Sequence, residues 1–196
     1  MEVKQKEAPN MAFWSDVLAE PKRQYRWVMY INNLPQWIVK KVTKPSFSIT
    51  ESSHTYINHV FYYPGKVEYD PLSVTLVDAV EPNGDTTQKM LDILYSSGYV
   101  RPDRAESNTT TISKVGASMA LGNVRIEQIG PVGSEPIEVI QLRNAWVKSV
   151  KLGDLDYESD DLLNIDLEIR YDYFDLETNA QNYSNFVGTL QDANIL

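Results

Sequence analysis

The segments YRWVMYI (25–31), WIVKKV (37–42), FSITESS (47–53), YINHVFYY (56–63) and LSVTLV (72–77) decide the class of fold. Each is a short run rich in aromatic and β-branched residues, and turn-forming clusters bound it. Together they read as successive strands. NNLP at 32–35 has turn composition, so the first two strands are expected to form a hairpin. FSIT and YINHVFYYP flank ESSH, which is read as the tip of a second hairpin. PGKVEYDP then turns the chain into LSVTLV, a central strand with apolar or β-branched residues on both faces.

Outward from this stretch, FWSDVLAEP (13–21) reads as a short helix that Pro21 ends. One longer helix is expected over 85–97, with Met90, Leu91, Leu94 and Tyr95 on its apolar side. Gly98 is its C-terminal stop. Residues 101–122 read as a loop, with a strand at 109–115. NVRIEQIG resumes the sheet, and IEVIQLRNAWVKSVKL bends near Asn144. LLNIDLEIRYDYF alternates strictly. Leu163, Ile165, Leu167, Ile169, Tyr171 and Tyr173 fall on one face, and Asn164, Asp166, Glu168, Arg170 and Asp172 on the other. That period of two puts one face on a core and the other in water.

The fold class is therefore mostly β, or α+β: a β-sandwich or barrel of antiparallel strands with one packed α-helix and a long β-hairpin. The chain divides into an N-terminal extension (1–20), one β domain (21–177) and a polar C-terminal arm (178–196). Its 196 residues suffice for one substantial core. Apolar residues make up 42%, and 12 Tyr and 4 Trp exclude a disordered chain. Lys plus Arg number 18 against 27 Asp plus Glu, a net charge of −9 that argues against a grip on duplex DNA. It leaves room for a passive conduit, whose acidic lining repels phosphate. There is no cysteine, so no disulfide and no thiolate chemistry. No window approaches a membrane span.

Catalytic patterns are weak. His54 and His59, five apart in a hairpin, are expected on opposite faces. Asp154, Asp156, Glu158, Asp160 and Asp161 resemble a calcium loop only superficially: the sixth and twelfth positions are Ser159 and Ile165 where an EF-hand needs Gly and Glu. Asp166, Glu168 and Asp172 share a strand face without the cleft a glycosidase needs. The glycines make no phosphate-binding pattern. No enzyme activity, metal or cofactor is expected. Phe61, Tyr62 and Tyr63 in a row leave an aromatic patch on a hairpin face. It reads either as an interface or as a bulge within an ordinary sandwich core.

The order RWVMYINNLPQWIVKKVTKPSFSI, then PGKVEYDPLSVTLVD, then a lone helix, then NAWVKSVKLGDLDYESDDLLNIDLEIRYDYFDL resembles the tail-tube proteins of contractile-tailed bacteriophages. The likeness runs over most of residues 20–177. In the last segment Asn144, Ala145, Trp146, Val147, Leu155, Tyr157, Asp161 and the strand to Tyr173 carry it. The long N-terminal tail, the loop at 101–122 and the tail past Glu177 depart from the shorter tube proteins.

This resemblance implies hexameric rings that stack into a tube inside a tail sheath. Baseplate and tail-terminator proteins cap its ends, and the lumen carries a tape-measure protein and transiting DNA. The place would be the virion tail, assembled in the host cytoplasm. The same fold serves baseplate proteins that start a tube. Phe47, Ile49, Tyr56, Ile57, Val60, Phe61, Tyr62 and Tyr63 are the expected inter-subunit hairpin surface. Glu68, Asp70, Asp166, Glu168 and Asp172 are the expected lumen residues. The acidic run at 154–161 is expected at the contact between rings. A carbohydrate-binding or adhesion module, with its Tyr and Trp stacking on glycans, is the alternative from another class.

Overall fold

A computed structural model describes residues 21–32, 34–82, 84–107, 111–130 and 135–179. The helix expected at 13–21 and the C-terminal arm lie essentially outside them. In chain order the strands begin with β1 (Trp27–Ile31), β2 (Val39–Val42), β3 (Phe47–Tyr56), β4 (His59–Tyr69), β5 (Leu72–Val77), β6 (Val80–Glu81) and β7 (Gly84–Asp85). Helices α1 (Thr86–Ser96) and α2 (Lys114–Leu121) follow. The chain continues through β8 (Val124–Ile129), β9 (Pro136–Arg143), β10 (Trp146–Lys151), β11 (Asn164–Arg170) and β12 (Tyr173–Thr178).

Two four-stranded antiparallel sheets hold the core. The first has the order β1-β8-β9-β12 and the second β10-β11-β5-β2. Alternate residues of each point inward, as a two-residue period requires. Met29, Val124, Ile126, Ile140 and Leu142 from the first sheet meet Leu72, Val74, Leu76, Ile165, Leu167 and Ile169 from the second. The central placement of LSVTLV holds, with β5 between β11 and β2.

The sheets share one bent hairpin. β9 and β10 are consecutive, as are β11 and β12, and each pair changes sheet at a corner. Asn144 makes the first corner with φ of 53°, a left-handed conformation that asparagine tolerates. At the second corner the alternation breaks. Tyr171 is buried, but Tyr173 begins the next strand in the other sheet and is exposed. It therefore does not continue the buried face of Ile165–Tyr171. The ladder runs to Thr178, and the Asn179 amide donates to the Ile137 carbonyl.

β1 and β2 do not pair as a hairpin. They are edge strands of different sheets. The Leu34 amide closes on the Ile31 carbonyl, Pro35 fixes φ at −69°, and one 3-10 turn at Gln36–Ile38 drives Ile38 into the core. The turn thus redirects the chain to the second sheet.

α1 begins at Asp85, whose carboxylate accepts from the Thr87 amide. Its buried stripe is Thr86, Met90 and the partly buried Ile93, closed by Ser97; of the expected apolar side Met90 is buried, but Leu91, Leu94 and Tyr95 are exposed. Leu91 and Leu94 each keep 38% of their surface exposed. Accordingly Leu94→Ala costs only about 1 kcal/mol, not the roughly 2–5 kcal/mol of a core cavity; comparative thermal melts of Leu94→Ala and wild type measure it.

Of the strand expected at 109–115, residues 109–110 lie outside the described residues; 111–113 form no strand, and the second helix begins at Lys114. Ser113 caps it by accepting from the Gly116 amide. Gly116, in a segment expected as loop, lets the two helices touch. A Cβ there would lie 2.8 Å from the Ser97 carbonyl oxygen.

Candidate assembly surface

β3 and β4 form a two-stranded ribbon joined to neither core sheet. Residues of β3 are exposed throughout, and so are those of β4 up to Tyr69. The tip is Ile57–Asn58, not ESSH, which lies inside β3. A two-residue turn follows from the Tyr56–His59 pairing. Ile57 sits at φ of 56° and is 83% exposed, an unusual place for a β-branched residue.

Register assigns the faces. His54 pairs with Phe61, Ser52 with Tyr63 and Tyr56 with His59, so His54, Tyr56, His59, Phe61 and Tyr63 share one face, and the two histidines are not on opposite faces as expected. The His59 and Phe61 rings meet edge to face at 4.7 Å. Tyr62 and Val60 lie on the other face, opposite Ser53 and Thr55. The FYY run is therefore regular ladder, and it is not a bulge packed in the sandwich core. The irregularity falls between Ile49 and Glu51. There the Thr50 hydroxyl accepts from the Lys66 amide, and Gly65 crosses so closely that a Cβ would meet Thr50 Oγ1 at 2.5 Å.

The root is anchored by rings. Phe47 contacts Tyr69, and Tyr69 contacts both Tyr171 and Phe174 at the sheet corner. The Tyr171 hydroxyl donates to the Ser46 carbonyl, and Ser46 Oγ donates to Asp70. Phe47 and Ile49 share a face with Val67 and Tyr69 near this anchor. Beyond it Tyr56, Ile57, Val60, Phe61, Tyr62 and Tyr63 are exposed.

The five acids expected at a lumen wall occupy three places. Glu68 and Asp70 stand at the ribbon root. Asp166 and Glu168 lie on the outer face of the second sheet. Asp166 accepts from the Thr75 hydroxyl at 2.9 Å, and Glu168 is paired with Lys148 at 3.0 Å. The Lys148 hydrogen bond holds the Glu168 carboxyl below its ordinary range. Lys41, Lys151 and Arg170 share that face, so it is mixed in charge. Asp172 sits at the corner, where Lys114 and then Asn144 bond it and lower its pKa. The acidic loop 154–161 joins β10 to β11 and is exposed throughout. Its bonds are local: Asp156 accepts from the Glu158 amide, and Ser159 Oγ from the Asp161 amide. Among the described residues no three His, Cys, Asp or Glu side chains gather as a metal site. No described helix is long and apolar enough to cross a membrane.

One cluster was missed in the sequence. Lys22, Arg23, Lys40, Lys41 and Lys44 line a cleft between the edge strands β1 and β2. The signal was present: residues 21–50 contain six Lys or Arg and no acid. Lys22 and Lys44 both donate to buried Glu138. Burial pushes the Glu138 pKa up, but these two lysines outweigh it and the net pKa is lowered. A depressed carboxylate stabilises the fold above its unfolded pKa, about 4.3, and that contribution is lost as pH falls through the folded value. Glu138→Gln is therefore expected to lower stability at pH 7 by about 1–2 kcal/mol. The deficit relative to wild type should begin to shrink below the unfolded value of about 4.3 and close only as pH falls through the lowered folded value, as thermal melts across pH will record.

A chain of the cryo-EM structure of the anti-feeding prophage (AFP) baseplate superposes with a TM-score of 0.55 at 18% identity, over 81% of this chain and 97% of that one. The chain has the fold of contractile injection system components. A chain from the PVC sheath/tube terminator of an extracellular contractile injection system gives a TM-score of 0.57 at 12% identity, over 81% and 98%. One from the PVC sheath–tube complex gives 0.51 at 16%, over 81% and 93%. No protein-family model matches the sequence, and no curated protein does.

Proposed function

We propose that this chain is a structural, non-catalytic subunit of the inner tube of a contractile tail, built as stacked hexameric rings that conduct DNA during ejection. The observation that carries this reading is the ribbon. It bears Tyr56, Ile57, Phe61, Tyr62 and Tyr63 away from the core, on a sandwich whose fold recurs in contractile injection systems. A two-stranded ribbon alone is marginal in water, and a second chain laid against it supplies the missing apolar cover. The neighbours on this reading are a sheath outside, a tape-measure protein and DNA within, and baseplate and terminator proteins at the ends. The setting is a virion tail assembled in the host cytoplasm. Glu68, Asp70, Asp166, Glu168 and Asp172 remain the proposed lumen residues. Where the second sheet's outer face lines the channel, its wall is mixed rather than uniformly acidic.

The second reading is a baseplate protein that initiates a tube, favoured by the likeness to a chain of the AFP baseplate structure. Negative-stain microscopy of the purified chain separates the two. Long tubes support the tube subunit, and single rings that do not elongate support the initiator. A chain that stays monomeric at high concentration overturns both.

A further inference from the structure

We propose that the acidic loop 154–161 of one copy seats in the basic cleft between β1 and β2 of a second copy. This rests on the assembly reading above and names a contact within it. Lys22 and Lys44 are committed to Glu138. Arg23 and Lys41 have no carboxylate partner among the described residues, and Lys40 donates only to the Asn164 amide oxygen at 3.3 Å. The cleft thus presents three cations with no carboxylate partner among the described residues, beside the edge strand β2.

The loop is the complementary surface. Residues 154–161 carry five carboxylates and no base. They are exposed throughout and form no ion pair among the described residues. Lys40 reaches Asn164 at the loop's own foot, yet the loop does not fold back onto the cleft of its own chain. The whole chain carries a net charge of −9, so two copies repel unless such local complementarity opposes it. Cleft and loop are different surfaces, which makes the contact heterologous. A contact of that kind propagates into a closed ring or an open stack rather than stopping at a dimer.

Charge exchange tests the pairing. A cleft variant carries Arg23→Glu, Lys40→Glu and Lys41→Glu, which spares the lysines that hold Glu138. A loop variant carries Asp154→Lys, Glu158→Lys and Asp160→Lys, which spares the Asp156 turn. Both are expected to melt like wild type as dilute monomers. Each alone should need at least about tenfold more protein than wild type to assemble in light scattering. An equimolar mixture should regain wild-type assembly, because every cleft then meets a loop of opposite charge, and added salt should weaken it. If wild type assembles but either variant does so equally well, or if the folded variants fail when mixed, this pairing is overturned and the assembly reading stands. Wild type that never associates overturns both. Lower melting of the dilute loop variant would place the loop on its own chain and overturn the pairing. So would duplex DNA binding that the cleft variant loses while its assembly is unchanged.

Discussion

Phe61→Asp combined with Tyr63→Asp should yield a folded chain that does not assemble. Both side chains stand on one face of the ribbon, 45% and 54% exposed, and neither belongs to the core. Their removal from the monomer therefore changes melting little, within the range of ordinary surface substitutions. In an assembly they are expected to be covered. Covering about half of an aromatic side chain contributes roughly 2–3 kcal/mol per ring. A carboxylate buried in the same seam without a partner adds a further penalty. Two such changes per subunit, repeated around a ring, abolish association at ordinary concentrations. Sedimentation velocity together with thermal melts is the measurement. A variant that assembles like wild type would remove the ribbon from the interface, and one that unfolds would place it in the core. Tyr62→Asp tests the opposite face separately, since Tyr62 points away from Phe61.

The second large effect lies in β11. Leu167→Ala is expected to destabilise the chain by about 2–5 kcal/mol, because it empties a site packed from both sheets. Leu167 is 1% exposed and pairs with Val74 of β5 and Val150 of β10. Asp166→Asn, one residue earlier, points to the other face and alters only a hydrogen bond with Thr75. Its cost should stay below about 1 kcal/mol. Denaturant unfolding of the pair gives the contrast, and equal losses would mean that the strand is not one-faced. The ribbon changes should act on association and Leu167→Ala on folding.

What the sequence determined by itself is what short-range patterning encodes. The alternation of Ile165, Leu167, Ile169 and Tyr171 determined a strand with one buried face, because side chains alternate every residue whatever the strand packs against. Asp85 and the periodic residues after it determined α1, whereas the aromatic run at 61–63 allowed either an interface or a core bulge until the ribbon's exposure decided it. The tertiary structure alone decided how these pieces are joined. β1 and β2 look like a hairpin in sequence, but the 3-10 turn that buries Ile38 sends them to different sheets. Tyr173 continues the sequence alternation past Tyr171, yet the corner at Asp172 turns it into the other sheet. The buried stripe of α1 was misjudged because apolar residues cover more of the helix than its packed face, and only the sheet and α2 select that face. Gly116 reads as loop in the sequence because no local pattern shows that the Ser97 carbonyl lies against it. Arg23, Lys40, Lys41 and Lys44 became one cleft only when the edges of β1 and β2 came together. These are long-range contacts, and the pattern along a strand says which face is buried but not what it is buried against.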